Sequence, residues 1–218
     1  MIIILDGVSG TGKSTISQEL QKVLQEKREC HVIAHPSKTN FYGNFSRKLI
    51  NLKYKVQNEL IIKVIDLLIG LCAVEDFKNS IKLARQNPEV IYIWERSPLS
   101  TLVYNATNSV NAKILASKIV SLGFPPETYW ILLSDIKYGE LVKRLKERNR
   151  DNQDLTANRS LLIEQTARFV IYLRLLNEKP FFSKFNAVYN SLLWHSDVHS
   201  KVKDILTFIK LNDTYLFF

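Results

Sequence analysis

Five short apolar runs punctuate the chain, and between them the hydrophobic positions recur at helical spacing. The runs are Met1–Asp6, Cys30–His35 (stopped by Pro36), Val90–Trp94, Thr128–Leu133 (introduced by Pro125-Pro126) and Phe185–Tyr189. Runs this short, apolar at nearly every position, read as strands of a parallel sheet covered on both faces. Ile16, Leu20, Val23 and Leu24 mark a first helix, and Asn40–Lys53 a second. Val56–Gln86 carries Leu60, Ile61, Val64, Leu67, Leu68 and Leu71, a stripe wide enough that burial on both sides is expected. Leu99–Leu122, Ile136–Lys146 and Leu155–Leu176 follow, and Val202, Ile205, Leu206 and Ile209 mark the last helix. Strands alternating with helices give an α/β fold, a five-stranded parallel sheet with helices on both faces. No repeat or low-complexity linker divides it, so residues 1–218 are expected to form a single domain. The apolar tail Tyr215-Leu216-Phe217-Phe218 is expected to pack or to join a dimer contact.

With 46% hydrophobic and 23% charged residues the chain has the composition of an ordinary soluble domain. No stretch is long enough to span a bilayer. The start lacks the basic region of a secretory signal, and Cys30 and Cys72 read as free thiols. A cytoplasmic location is the expectation. The formal charge of +9 favours anionic partners, and basic residues are densest from Lys143 to Arg150. No aromatic–basic patch suited to a nucleic-acid strand is visible, so a small nucleotide is the expected partner. His35, His195 and His199 show no metal-ligand spacing.

Directly behind the first strand, Gly7-Val8-Ser9-Gly10-Thr11-Gly12-Lys13-Ser14-Thr15 fits G-x-x-x-x-G-K-[ST] and leads into a helix. Strand, glycine-rich turn and helix is the context this motif requires. Glycines let backbone N–H groups converge on an anion, and the helix dipole points at the same place. Gly7, Ser9, Gly10, Thr11, Gly12, Lys13, Ser14 and Thr15 are thus candidates to bind ATP. Lys13 would reach the β- and γ-phosphates and Ser14 would hold Mg²⁺.

Ligands of such sheets bind beyond the carboxyl ends of the strands. After the second run comes His35-Pro36-Ser37-Lys38-Thr39, after the third Glu95-Arg96-Ser97, and after the fourth a helix leading to Arg144, Arg148 and Arg150. Three of these four strand ends, the glycine turn included, carry a cation able to face a phosphate.

Two further segments bring a family resemblance. Pro36-Ser37-Lys38-Thr39-Asn40-Phe41-Tyr42-Gly43 is similar to the F-P-x-R-x-T-x-x-G of the thymidylate kinase family, with Lys38 where the family has a substrate-phosphate arginine. Glu95-Arg96-Ser97-Pro98-Leu99-Ser100-Thr101-Leu102-Val103-Tyr104 resembles its D-R-Y-x-x-S-x-x-A-[FY], and Tyr172-Leu173 its later Y-L pair. The resemblance implies the fold of the P-loop nucleotide kinases, with an arginine-rich lid at about residues 144–156 and a homodimer. It implies catalytic roles for Lys13, Arg96, Arg144, Arg148 and Arg150, and substrate contacts from Lys38, Glu95, Arg96, Tyr104 and Phe77. Ser14, with Glu95 through water, would hold the metal. The chain departs from the family at Ser9, where a carboxylate usually meets the sugar, and at Cys72 and Asp76, where the helix usually offers phenylalanine and arginine to thymine.

Glu95-Arg96-Ser97 is also how deoxynucleoside kinases write this motif, but those enzymes place a Glu after the second strand as base for the 5′-hydroxyl, and Pro36-Ser37-Lys38 has none. A monophosphate acceptor is already an anionic nucleophile and needs positioning and charge neutralisation. The reading is therefore transfer of the γ-phosphoryl of ATP to a deoxynucleoside monophosphate, with dTMP foremost. A deoxynucleoside kinase is the nearest alternative, and a nucleotide-binding switch without turnover the next.

Overall fold

The computed structural model describes residues 1–106, 108–125, 127–133, 138–147, 159–177, 190–191 and 197–212. Four strands have five residues each: β1 (Ile2–Asp6), β2 (Cys30–Ala34), β3 (Ile91–Glu95) and β4 (Thr128–Leu132). A fifth, β5, is a two-residue segment, Asn190–Ser191, against the far side of β4. The sheet is parallel in the order β2-β3-β1-β4-β5. Four full strands and a short fifth thus replace the five full strands expected. The expected strand at Phe185–Tyr189 lies outside the described residues, as do Trp194, His195 and the tail Tyr215–Phe218.

The helices are α1 (Lys13–Leu24), α2 (Phe41–Lys53), α3 (Glu59–Gln86), α4 (Pro98–Asn105), α5 (Ser109–Val120), α6 (Tyr138–Glu147), α7 (Arg159–Asn177) and α8 (Val198–Asn212). Strand pleating explains why the strands are apolar throughout. Ile2 and Ile4 point into the cluster formed with Ala73, Phe77 and Ile81 of α3, Leu99 of α4 and Leu115 of α5. Ile3 and Leu5 point the other way, against Ile16 and Leu20 of α1 and Ile205 and Ile209 of α8. Each of these four β1 side chains is 0% exposed, and burial of that kind stabilises by about 2 kcal/mol per side chain.

Two expectations change. The segment expected as one helix from Leu99 to Leu122 is two, because Asn108 accepts a hydrogen bond from Asn111 N (2.8 Å) and so caps a new start. The α3 stripe is not covered on both sides: Leu60 is 71% exposed, Ile61 49%, Val64 52% and Leu68 41%. One flank of α3 meets α2, through Leu49, Ile65 and Ile69, and Leu67 and Leu71 of the stripe pack against the main core, while Leu60, Ile61, Val64 and Leu68 face outward. The outer side of α2 also exposes Phe41, Tyr42 and Phe45, with Phe41 and Phe45 stacked at 5.9 Å. Among the described residues no helix is long and apolar enough to cross a membrane.

Candidate active site

The strand order places the site. From β1 the chain goes to the edge strand β2, returns to β3 beside β1, then crosses to β4 on the other side. The carboxyl ends of β1 and β3 consequently lie side by side at the point where the winding reverses, which is where such sheets open a crevice. Leu5 pairs with Glu95, so the segments Gly7–Lys13 and Arg96–Ser97 leave the sheet together.

The glycine turn is built for close approach. Gly7, Gly10 and Gly12 have φ of 131°, 89° and 90°, values that side chains disfavour. A Cβ on Gly7 would lie 2.5 Å from the carbonyl oxygen of Leu133, and one on Gly10 would lie 2.7 Å from Leu141 Cδ1. The turn therefore packs directly on α6. Helix α1 starts at Gly12 without a side-chain cap, whereas Asn40, Asn58, Ser97 and Asn108 cap α2, α3, α4 and α5. Its first N–H groups lack the side-chain acceptor that the other four starts have, the arrangement that suits an anion. Lys13, 8% exposed, folds back so that Nζ donates to the carbonyls of Gly7 (2.8 Å) and Val8 (2.7 Å) and to Thr11 Oγ1 (3.2 Å). Ser9 and Thr11 line the turn, and Thr15 instead faces the groove between α1 and α8, beside Val198 and Val202.

Glu95 is the last residue of β3 and reaches toward α1. Ser14 Oγ donates to Glu95 Oε2 (2.8 Å) and Ser17 Oγ to Oε1 (2.5 Å), so the two residues read as a metal pair are in contact. Arg96 has φ of 85°, the one non-glycine residue of positive φ in the described chain, while its N–H still bonds Leu5 O at 2.9 Å. That turn releases the strand into α4, whose start is capped by Ser97 and has Pro98 in its first turn. The Arg96 guanidinium lies 5.4 Å over the ring of Tyr104. Asp6, 0% exposed, joins the two segments: its carboxylate accepts from Gly7 N (2.9 Å), Ser100 Oγ (2.7 Å) and Ser97 Oγ.

On the β2 side, Lys38 is exposed in the segment 35–40, which begins with the cis peptide His35–Pro36. Gly43 is required there: a Cβ would lie 2.3 Å from Ser37 O and 2.7 Å from Ser37 N. The glycine of the P-x-x-x-x-x-x-G pattern thus lets α2 press on the loop. Arg47, which the sequence reading passed over, donates from Nε and Nη2 to Pro36 O at 2.8 and 2.5 Å. Burial pushes its guanidinium below the ordinary range; Arg96 nearby pushes the same way and Asp76 opposes. A usable signal was present: Asn40, Gly43 and Arg47 share one helix face.

One expected substrate contact is corrected, and the departure from the family at Asp76 finds its place in the fold. Phe77 is 2% exposed, 4.1 Å from the His35 ring and 5.8 Å from Trp94, and is a core residue with no face left for a base. Asp76 does not point toward a base either; both its oxygens are taken up by segment 35–40. Arg144 lies on α6, the helix packed on the glycine turn, and pairs with Glu140 at 2.9 Å. Arg148 and Arg150 lie outside the described residues, as does most of the expected lid.

A parallel sheet with an uncapped glycine turn, a serine–glutamate pair and several cations at adjacent strand ends defines a site of the nucleotide-kinase class. The thymidylate kinase family model matches residues 5–187, and the chain belongs to that family. It is accordingly an ATP-dependent nucleoside monophosphate kinase of thymidylate kinase type. A thymidylate kinase of Buchnera aphidicola subsp. Baizongia pistaciae is 29% identical over 197 residues, 85% of this chain and 86% of the relative. Among solved structures, a deoxyadenosine kinase from M. mycoides with the products dCMP and dCDP bound has a TM-score of 0.63 and 19% identity, covering 97% of this chain and 99% of its own. The thymidylate kinase of Candida albicans also has a TM-score of 0.63, at 15% identity, covering 97% of this chain and 91% of its own.

Proposed function

We propose that the protein transfers the γ-phosphoryl of ATP to a deoxynucleoside 5′-monophosphate, with dTMP the foremost acceptor. The observation that carries this is how the carboxylates near the acceptor end are used. Glu95 is bonded to Ser14 and Ser17 on the ATP side, Asp6 to Gly7 and two serines, and Asp76 to segment 35–40. None of the three is left to take a proton from a neutral 5′-hydroxyl, as a nucleoside acceptor would require. A monophosphate needs cations and orientation instead, and Lys38 and Arg96 supply the cations.

In the mechanism, the uncapped N–H groups of α1 and Lys13 hold the ATP phosphates. Hard oxygen donors suit Mg²⁺, which keeps most of its waters and takes few protein ligands. Ser14 Oγ would hold it directly and Glu95 through water, a fit helped by the serine proton already pointing at the carboxylate. When bound, the ion neutralises charge on the β- and γ-phosphates. Arg96 and Lys38 orient the acceptor phosphate in line, and Arg144 with Arg148 and Arg150 are the candidates to neutralise charge on the transferring group. Tyr104, under Arg96, is the candidate to touch the acceptor's sugar or base.

The test is ATP turnover against the four deoxynucleoside 5′-monophosphates and their parent nucleosides. Conversion of dTMP or another monophosphate, with the nucleosides inert, is the expected result. Turnover of nucleosides alone would overturn the reading in favour of a deoxynucleoside kinase.

The exposed α3 stripe also supports a homodimer. Leu60, Val64 and Leu68 repeat every four residues and give a contiguous apolar edge, which water disfavours. Sedimentation is expected to return twice the chain mass of 25.2 kDa for the native protein and a monomer for Leu60→Glu/Val64→Glu. A native monomer would sink the assignment.

A further inference from the structure

Asp76 sits on α3 at 0% exposure, and each of its oxygens accepts from the segment that carries Lys38. Oδ2 accepts from His35 Nδ1 (2.9 Å) and from the backbone N–H of Ser37 (2.7 Å), and Oδ1 accepts from Asn40 Nδ2 (2.5 Å). His35 is itself buried against Phe77, and Asn40 uses its other side-chain atom to cap α2, accepting from Gly43 N at 2.8 Å. One carboxylate thereby fixes residues 35, 37 and 40, on both sides of Lys38. From the opposite side Arg47 holds Pro36 O. Burial by itself would raise the Asp76 pKa, but the hydrogen bonds, His35 foremost, hold it down at about 2, so the carboxylate stays ionised at neutral pH. Carboxylates accepting several donors in a buried site are strong fixing points, because an unmade bond there leaves a polar group stranded.

We infer that Asp76 is a positioning residue for the acceptor phosphate: it holds segment 35–40 so that Lys38 is delivered to the acceptor beside Arg96. This rests on the monophosphate reading and deepens it. It also gives Asp76 a function unlike the base contact that the family resemblance assigns to this helix position. An aspartate here trades a side chain aimed at the base for one that sets the loop.

The experiment compares Asp76→Asn and Asn40→Ser with the native enzyme, each also in a Lys38→Ala background. Serine keeps the cap of α2 but does not span to Asp76, so that variant is expected to fold even if Asp76→Asn is weakened. The expected result is a rise of about tenfold in KM for the monophosphate in either variant, with KM for ATP within about twofold of native. In the Lys38→Ala background the same substitutions should change acceptor KM by less than about twofold, since a residue acting through Lys38 has nothing left to position. Equal effects on both substrates, or effects that add fully to that of Lys38→Ala, would overturn the proposal. If the native enzyme turns over nucleosides and no monophosphate, it is the functional reading that falls. Monophosphate turnover in which both KM values rise together leaves that reading standing and overturns the Asp76 proposal alone.

Discussion

Lys13→Ala is expected to lower kcat/KM for ATP by about two to three orders of magnitude while leaving the fold intact. The ammonium is the only charged group within the glycine turn, and it donates to Gly7 O, Val8 O and Thr11 Oγ1. ATP would replace neutral carbonyl partners with phosphate oxygens, and the stronger charge-assisted bonds would grow as charge shifts during transfer. Losing one such preorganised donor removes about 3–4 kcal/mol of transition-state stabilisation, a factor of several hundred or more. The stability cost is smaller, about 1–3 kcal/mol, because the buried carbonyls of Gly7 and Val8 and the Thr11 hydroxyl each lose a hydrogen bond from the ammonium. Steady-state kinetics beside a thermal melt measures both. A variant that keeps more than about a tenth of native turnover would mean that Lys13 serves the loop's shape and not the phosphates.

The second large effect separates activity from stability at a single position. Arg96 holds a left-handed backbone, φ 85°, which costs a branched or long side chain about 1–2 kcal/mol and costs glycine almost nothing. Arg96→Gly is expected to remove that strain, at the cost of the Tyr104 contact, which is worth about 0.5–1 kcal/mol, and of some unfolded-state entropy. The melting temperature should therefore stay within a few degrees of native. Arg96→Ala keeps the strain and loses the contact, so it should melt lower than the glycine variant. Both should lose turnover by about 10³-fold, because neither can neutralise or orient the acceptor phosphate. If Arg96→Gly retains near-native turnover, the backbone turn alone explains why an arginine is tolerated there. If alanine melts above glycine, the strain argument is wrong.

The glycine turn and the four full strands were legible because each rests on local chemistry. An apolar run bounded by Pro, Gly or a charge can hardly be anything but a buried strand, and β1 to β4 lie within a residue or two of the expected bounds. Helix breaks were less legible: Asn108 caps α5 only once α4 has turned away, and asparagine is equally at home in a loop. The outward face of α3 was misjudged because apolar periodicity says which side wants cover and not whether the same chain provides it.

The site divides in the same way. Lys13, Ser14, Glu95, Arg96 and Lys38 could be named as candidates from sequence because motif spacing and strand ends mark them. That Glu95 meets Ser14 and Ser17 depends on the register of Leu5 with Glu95, which pairs residues ninety apart. Asp76 and Phe77 are neighbours on one helix, and only the packing of α3 between the sheet and segment 35–40 commits the first to the loop and the second to the core. By itself the sequence determined the element order, the glycine turn and the family, since these follow from local periodicity and backbone constraints. The tertiary structure decided which side chains share the site and which carboxylates are already spoken for, because those depend on contacts between residues distant in the chain and on the burial that makes each contact obligatory.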